Sequence, residues 1–326
     1  MNIKRKIVAD SSCELISEII DGLDIELIPF NIEIADEQIV DDGTLNTSEF
    51  IEKMSKSKGH VKSAAPSPNL FLESYKNADE IFAVCLTGKL SATFGNAVLG
   101  KKMFLEEYPD KKIHVFDSGS AGPGESLTVY KIGELIRKDL SFEEIVEQVE
   151  DFIKNMKTFF VLDSVENLVA NGRISKTKAF IVNALNIKPV LYAKDGVIEI
   201  YEKVRGLRKA HKRLVEIIGE LFPNSKNEKT LIISHCNCLD KAKSIKKSIE
   251  AFYDFKNIMI VGMKGLTSMY AYDQGIIIRR VKSRSFSTGQ LNASQRLHPR
   301  PIFPLVSRAT YPLSRSGISS RSWLPT

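Results

Sequence analysis

The chain has 326 residues, of which 43% are hydrophobic and 26% are charged, as is usual for soluble globular proteins. This composition excludes a collagen-like, a wholly disordered and a disulfide-stapled protein, and the length suggests about two domains. No apolar run reaches the roughly 18 residues of a membrane-spanning helix, and no signal peptide is expected. Because the four cysteines are few and scattered, we expect a reduced, cytoplasmic protein.

The net charge of +6 is unevenly distributed along the chain. Residues 279–326 contain nine Lys and Arg and neither Asp nor Glu, so residues 1–278 carry a net charge of −3. A nucleic-acid-binding surface would spread its cations over a folded domain, and we do not expect this function. Residues 279–326, rich in Ser, Pro and Arg, predict a basic tail that is either a disordered anion-binding arm or a non-native extension.

Before this tail, strand-like and helix-like segments alternate along the chain. In the first half, four short apolar segments predict strands, at residues 6–10 (KIVAD), 25–34 (IELIPFNIEI), 80–86 (EIFAVCL) and 112–117 (KIHVFD). The segments between them carry apolar residues at helical spacing. This alternation is typical of a mainly parallel, Rossmann-like sheet with helices on both faces.

A second series of elements follows a predicted helix over residues 142–156. It contains a strand at 158–163 and a hairpin at 188–204, whose Asp195-Gly196 pair favours a tight primed turn. Further helices and strands alternate up to residue 262. We therefore predict a two-domain α/β protein, with one α/β domain over residues 1–158 and a second over 159–278.

Polar loops follow or precede the predicted elements of the first domain at four places. Ligands of open α/β sheets bind beyond the carboxyl ends of the strands, where these loops lie. Hydroxyls and free N–H groups at helix starts suit a carboxylate or phosphate. A hydroxyl in any one of these loops is explained by helix capping alone, and the anion site depends on convergence of the four loops. The candidate hydroxyls are Ser11, Ser63, Ser91, Thr93 and Ser118.

Other residues of the chain are also candidates for a functional site. Arg173 follows Gly172, where its guanidinium would reach an anion with two hydrogen bonds or remain an ordinary surface side chain. The glycine-rich nucleotide-binding patterns are absent. The segment 235–238 offers three metal ligands without a fourth, so we expect no metal site. A Ser–His–Asp set assembled from Ser91, His235 and Asp10 is one of many that chance provides.

Seven short motifs in order resemble those of the DegV family over about residues 3–278. They are Ala-Asp-Ser-Ser (9–12), Ser-Ala-Ala-Pro-Ser-Pro (63–68), Leu-Ser-Ala-Thr-Phe (90–94), Asp-Ser (117–118), Asn-Gly-Arg-Ile-Ser (171–175), Ile-Lys-Pro-Val (187–190) and Lys-Val-Arg (203–205). The resemblance implies a two-domain fold that holds a long-chain fatty acid in an apolar tunnel. It also implies a non-catalytic subunit without a cofactor, which presents the ligand carboxylate to a separate fatty-acid kinase.

By the same resemblance, Ser63 and Ser91 would hold the carboxylate, and Arg173 would lie near the tunnel mouth. The family often has a histidine near its C-terminus, but residues 266–275 contain none, and Tyr270 or Tyr272 is the expected substitute as a hydroxyl donor. The alternative function is an enzyme that acts on a small phosphorylated or carboxylated metabolite at the same sheet edge. Asp10 or His235 would then be its acid or base.

Overall fold

The computed structural model describes residues 3–57, 61–175, 187–220 and 230–281, which belong to one compact unit, Met1–Arg284. The described strands are β1 (Arg5–Asp10), β2 (Ile25–Ile28), β3 (Phe30–Ile34), β4 (Glu37–Asp41), β5 (Lys62–Ala64), β6 (Glu80–Cys85), β7 (Lys112–Asp117), β8 (Met156–Val161), β9 (Ile187–Lys194), β10 (Val197–Arg205), β11 (Thr230–His235), β12 (Asn257–Gly262) and β13 (Ile276–Val281). The described helices are α1 (Ser17–Ile20), α2 (Thr47–Lys56), α3 (Pro68–Tyr75), α4 (Thr93–Glu107), α5 (Pro123–Ile136), α6 (Phe142–Lys154), α7 (Glu166–Ala170), α8 (Leu207–Glu220), α9 (Leu239–Phe252) and α10 (Gly265–Ala271).

The first sheet has four parallel strands in the order β2-β1-β6-β7. Successive side chains of a strand point to opposite faces, and Ile7 and Ala9 of β1 pack in a core with helices α5 and α6. Val8 packs in a different core with α3 and α4. Every residue of the central strand β6 is buried. The predicted parallel sheet with helices on both faces is therefore confirmed.

The second sheet has six strands in the order β10-β9-β8-β13-β11-β12, and only β11 and β12 run parallel. Phe159 and Val161 of β8 pack against helices α8 and α9, whereas Phe160 belongs to a separate apolar cluster on the opposite face. Strands β9 and β10 form the predicted hairpin, and both turn residues, Asp195 and Gly196, have positive φ angles as a primed turn requires.

A third, small antiparallel sheet has the order β4-β3-β5. The prediction of one strand over residues 25–34 is wrong, because the chain divides at Pro29 into β2 of the parallel sheet and β3 of the small sheet. Proline has no N–H for a strand ladder and fixes its own φ angle, so it suits this change of direction. The small sheet carries Ser63 on β5.

The last described strand, β13, continues through residues 279–281, so the predicted start of the tail at residue 279 is wrong. Strand β13 pairs with β8 on one side and β11 on the other, and the Arg279 and Arg280 side chains are buried. Two of the nine cations assigned to the tail therefore belong to the fold, and residues 282–326 lie outside the described residues. No described helix has the length and apolar composition needed to cross a bilayer.

Candidate functional site

A cavity lies where the loops after β1, β6 and β7 approach the six-stranded sheet, the β9–β10 hairpin and helix α10. The empty space among its lining atoms, open solvent at the mouth included, is about 840 Å³. Most of its wall is apolar, with Phe30, Phe160, Leu162, Leu168 and Ile277 among the lining side chains. A long hydrocarbon chain suits such a wall because burial of apolar surface is favourable.

Four of the predicted site residues line this cavity: Ser63, Ser91, Arg173 and Tyr270. The Ser63 Oγ and Tyr270 Oη atoms are 3.2 Å apart, so the two hydroxyls form a hydrogen-bonded pair. The Arg173 guanidinium carbon lies 5.9 Å from the centre of the Tyr270 ring, and Arg173 Nε donates to the Leu90 carbonyl at 3.0 Å. The fold thus brings together residues that are far apart in the sequence.

The loop before α4 holds Ser91 at the cavity wall. The Leu90 and Ser91 N–H groups donate to the Thr87 carbonyl at 3.0 and 3.2 Å, which forms a tight turn. The Ser91 and Thr93 hydroxyls are 2.7 Å apart, and the Thr93 N–H donates to Ser91 Oγ at 3.3 Å. Thr93 is buried and does not itself line the cavity, so its contacts orient Ser91.

Ser11 and Ser118 do not line the cavity either. Ser11 Oγ donates to Asp41 Oδ2 at 2.9 Å and accepts the Phe30 N–H at 3.0 Å. Ser118 Oγ donates to the Ser120 carbonyl at 3.1 Å within its own loop. Both hydroxyls therefore form hydrogen bonds within the protein, away from the cavity wall.

Sequence reasoning missed four buried hydroxyls that do line the cavity, those of Ser12, Ser120, Thr158 and Thr267. Ser12 and Ser120 lie in loops that the sequence had already marked as polar. Thr158 lies inside a strand and Thr267 inside a short helix, so no local pattern distinguishes them from ordinary buried threonines. The Thr158 hydroxyl accepts a hydrogen bond from the buried Arg279 guanidinium.

Several carboxyl groups are buried beside this wall. Ser12 Oγ lies 2.8 Å from Asp10 Oδ1 and 2.5 Å from Glu125 Oε1. Burial raises the pKa of Asp10, and burial together with the Asp10 charge raises the pKa of Glu125 well above its usual value. A hydroxyl has one proton to donate to two carboxyl groups. The raised pKa of Glu125 favours its protonated form, which supplies the second proton that this group needs.

The two candidate acid–base residues do not line the cavity. Asp10 is fully occupied by the fold, because its carboxylate also accepts the Leu86 N–H at 2.7 Å and the Ser12 N–H at 3.1 Å. His235 accepts the Cys238 N–H at 3.4 Å, and burial lowers its pKa. Within the described ranges, no group of three or more His, Cys, Asp or Glu is arranged to hold a metal ion.

The fold and the cavity together define a class of protein, an α/β protein with an apolar pocket whose wall carries a small cluster of hydrogen-bond donors. The chain belongs to the DegV family, whose model matches residues 4–276. A DegV domain-containing protein of Streptococcus pneumoniae is 35% identical over 276 residues, which are 84% of this chain and 97% of that protein.

Two solved structures show the same fold at similar levels of identity. The fatty acid kinase (Fak) B3 protein of S. pneumoniae, loaded with linoleic acid, has a TM-score of 0.79 and 34% identity, covering 86% of this chain and 100% of its own. A DegV family protein of Ruminococcus gnavus, refined with vaccenic acid, has a TM-score of 0.80 and 35% identity over the same shares. Both of these relatives therefore bind a fatty acid.

Proposed function

We propose that this protein binds a long-chain fatty acid in the cavity. The carboxylate lies at the cluster formed by Ser63, Ser91, Arg173 and Tyr270, and the acyl chain lies along the apolar wall. One observation carries this proposal: four hydrogen-bonding side chains from separate elements meet on the wall of a mostly apolar cavity.

The energetics suit a ligand with one charged end and a long apolar body. Each methylene moved out of water contributes about 0.8 kcal/mol to binding. A buried carboxylate without partners would cost several kcal/mol, so the head group needs donors. The hydroxyls and the Arg173 guanidinium supply them, since a guanidinium can hold both oxygens of a carboxylate.

We further infer that the protein is a non-catalytic cytoplasmic carrier that presents the carboxylate to a separate fatty-acid kinase. Its similarity to the fatty acid kinase B3 protein of S. pneumoniae supports this role. The half-buried positions of Ser63, Arg173 and Tyr270 support it too, because a kinase must reach the head group from solvent.

Mass spectrometry of the purified protein, native and then after organic extraction, tests the ligand. We expect one fatty acid per chain, and about tenfold weaker binding in Ser91→Ala, the loss expected for one hydrogen bond to a charged group. Ser248→Ala is the matched control, because Ser248 is a half-buried serine on α9 that does not line the cavity, and its hydroxyl donates to the Ser244 carbonyl at 3.0 Å. Ligand-free protein that takes up no added fatty acid would overturn the proposal.

A further inference from the structure

The hydroxyl pair of Ser63 and Tyr270 joins two elements that are far apart in the sequence. Ser63 lies on β5 of the small sheet, and Tyr270 lies on helix α10, 207 residues later. A pair of this kind recognises a carboxylate only if the two elements are held at a fixed separation. The contacts between the small sheet and α10 therefore decide the geometry of the head-group site.

Asp41, the last residue of β4, makes the central contact between these elements. Its side chain is fully buried, and Oδ2 accepts the Leu266 N–H of α10 at 2.9 Å and the Ser11 hydroxyl at 2.9 Å. Ser11 in turn accepts the Phe30 N–H at 3.0 Å. One carboxylate oxygen thus ties α10 to the small sheet and to the loop after β1.

The start of α10 lies directly against this carboxylate. A Cβ atom at Gly265 would overlap the Asp41 carboxyl group, so the close approach depends on glycine at that position. A second contact lies nearby, because Thr47 Oγ1 of α2 donates to the Met263 carbonyl at 2.9 Å. The helix start is therefore docked on the segment that follows β4.

The small sheet connects Asp41, which contacts α10, to Ser63 through its paired strands. Asp41 of β4 pairs with Phe30 of β3, and Ile32 of β3 pairs with Ser63 of β5. Asp41 and Ser63 therefore lie on the two outer strands of one hydrogen-bonded sheet. A shift of α10 relative to Asp41 moves the Tyr270 hydroxyl relative to Ser63.

We propose that Asp41 is a positioning residue for the carboxylate site, acting through Leu266 and the β3 ladder on the Ser63–Tyr270 pair. This inference rests on the proposed fatty-acid-binding function. It explains why an acid is buried here: the position needs one oxygen that accepts two donors, which an apolar side chain of similar size cannot provide. It also assigns the predicted ligand residue Ser11 to the same positioning contact.

Two ligands of equal chain length separate positioning from general stability. Hexadecanoic acid needs the carboxylate site, whereas hexadecanol shares the chain but has no charged head group. In Asp41→Ala, we expect roughly tenfold weaker binding of the acid and a much smaller change for the alcohol. Asp41→Asn keeps an oxygen that can accept both donors, and we expect it to bind the acid nearly as the unchanged protein does.

The matched control is Asp42→Ala. Asp42 is the next residue along the chain, and its exposed carboxylate contacts only Thr44, so both affinities should stay unchanged. In a Tyr270→Phe background, Asp41→Ala should add little further loss for the acid, since both changes act on the same hydroxyl pair. Should Asp41→Ala fail to fold, Ser11→Ala replaces it in the test. The affinity for hexadecanoic acid relative to hexadecanol in that variant then decides whether the contact positions the carboxylate site.

Equal losses for acid and alcohol, or full additivity with Tyr270→Phe, would overturn the positioning role. These outcomes leave the proposed function intact, because the unchanged protein still binds hexadecanoic acid. Failure of the unchanged protein to bind either ligand would instead refute the fatty-acid-binding function itself. The two proposals therefore fail in distinguishable ways.

Discussion

Glu125 lies in the first turn of α5 with its carboxyl group buried beneath Ser12. Its Oε1 atom is 2.5 Å from Ser12 Oγ and accepts the Gly122 N–H at 3.0 Å. Burial and the nearby Asp10 charge raise its pKa well above the usual range. Burial therefore favours the neutral, protonated form of Glu125, next to a hydroxyl that lines the cavity.

Replacement of this acid tests its protonation state. Glutamine has nearly the same shape as a neutral glutamic acid and likewise offers one acceptor oxygen and a donor, so Glu125→Gln should change the free energy of unfolding at pH 7 by no more than about 1 kcal/mol. Glu125→Ala removes the donor and leaves a cavity, and should cost about 2–4 kcal/mol. Urea unfolding measures both. Equal losses in the two variants would show that Glu125 is ionised in the folded protein.

Ser11 and Ser12 show how far the sequence predicts the site at the scale of single residues. The strand-end pattern correctly placed polar loops around the cavity, because the carboxyl ends of parallel strands meet at one edge. Ser11 and Ser12 lie in the turn after β1, which the Cys13 N–H closes by donating to the Asp10 carbonyl at 3.0 Å, and sequence alone does not say which of the two side chains faces the ligand. Ser12 lines the cavity, whereas Ser11, the predicted residue, contacts Asp41.

The β9–β10 hairpin lines the cavity and is joined to the rest of the six-stranded sheet by few strand pairs. Strand β9 pairs with β8 only at Leu191 and Tyr192, so the rest of the hairpin projects beyond the sheet. Ala193, Gly196 and Ile198 line the cavity there. The hairpin tip rests on the loop that carries Ser91, since a Cβ at Gly196 would overlap the Thr87 hydroxyl.

Gly196→Ala should therefore weaken the contact between the β9–β10 hairpin and the loop that carries Ser91. The new methyl group displaces the hairpin from Thr87, and the φ of +79° disfavours any residue but glycine. We expect the bound fatty acid to be released several-fold faster, as measured by transfer to a fluorescent acceptor protein.

Gly206→Ala is the matched control for backbone strain. Its φ of +83° imposes the same cost, of about 1–2 kcal/mol, but no atom lies within 4 Å of the position of a new Cβ. This variant should lose stability without a change in ligand release. If both variants released the ligand at the same rate, contact with Thr87 would not be what holds the hairpin closed.

The small antiparallel sheet shows why the prediction of whole elements was incomplete. Buried strands with continuous apolar runs, such as β6, were predicted because their composition alone identifies them. Strand β4 has mostly exposed side chains, and β5 is three residues long, so neither carries a clear pattern. Helix α2 separates β4 from β5 in the sequence, yet both strands pair with β3. This pairing depends on tertiary packing, which the local periodicity of a sequence does not reveal.

At the scale of the whole molecule, Glu14 connects the parallel sheet to the six-stranded sheet. It follows the end of β1, its N–H donates to Ser126 Oγ of α5 at 3.1 Å, and its carboxyl group accepts the Ser234 hydroxyl of β11 at 2.6 Å. The side chain is 2% exposed. Burial raises its pKa from 4.5 to about 8, because the interior disfavours its charged form.

Because of this raised pKa, the protonation of Glu14 affects the stability of the fold that joins the two sheets. Between pH 4.5 and pH 8 the folded protein holds a proton on Glu14 that the unfolded chain has released, so the free energy of unfolding falls as the pH rises. From pH 6 to pH 8, this group alone should lower the free energy of unfolding by about 2 kcal/mol. Above the folded pKa the effect levels off.

Glu14→Gln removes this titration and leaves the other ionisable groups in place. The free energy of unfolding of the variant, measured relative to the unchanged protein by urea titration, should therefore rise by about 2 kcal/mol between pH 6 and pH 8. Glu18→Gln is the control, because Glu18 is exposed and its pKa is lowered, so it stays ionised throughout this range. A pH-independent difference between Glu14→Gln and the unchanged protein would mean that Glu14 is already charged at pH 6, and that contacts such as the Ser234 hydrogen bond offset the desolvation of its carboxylate.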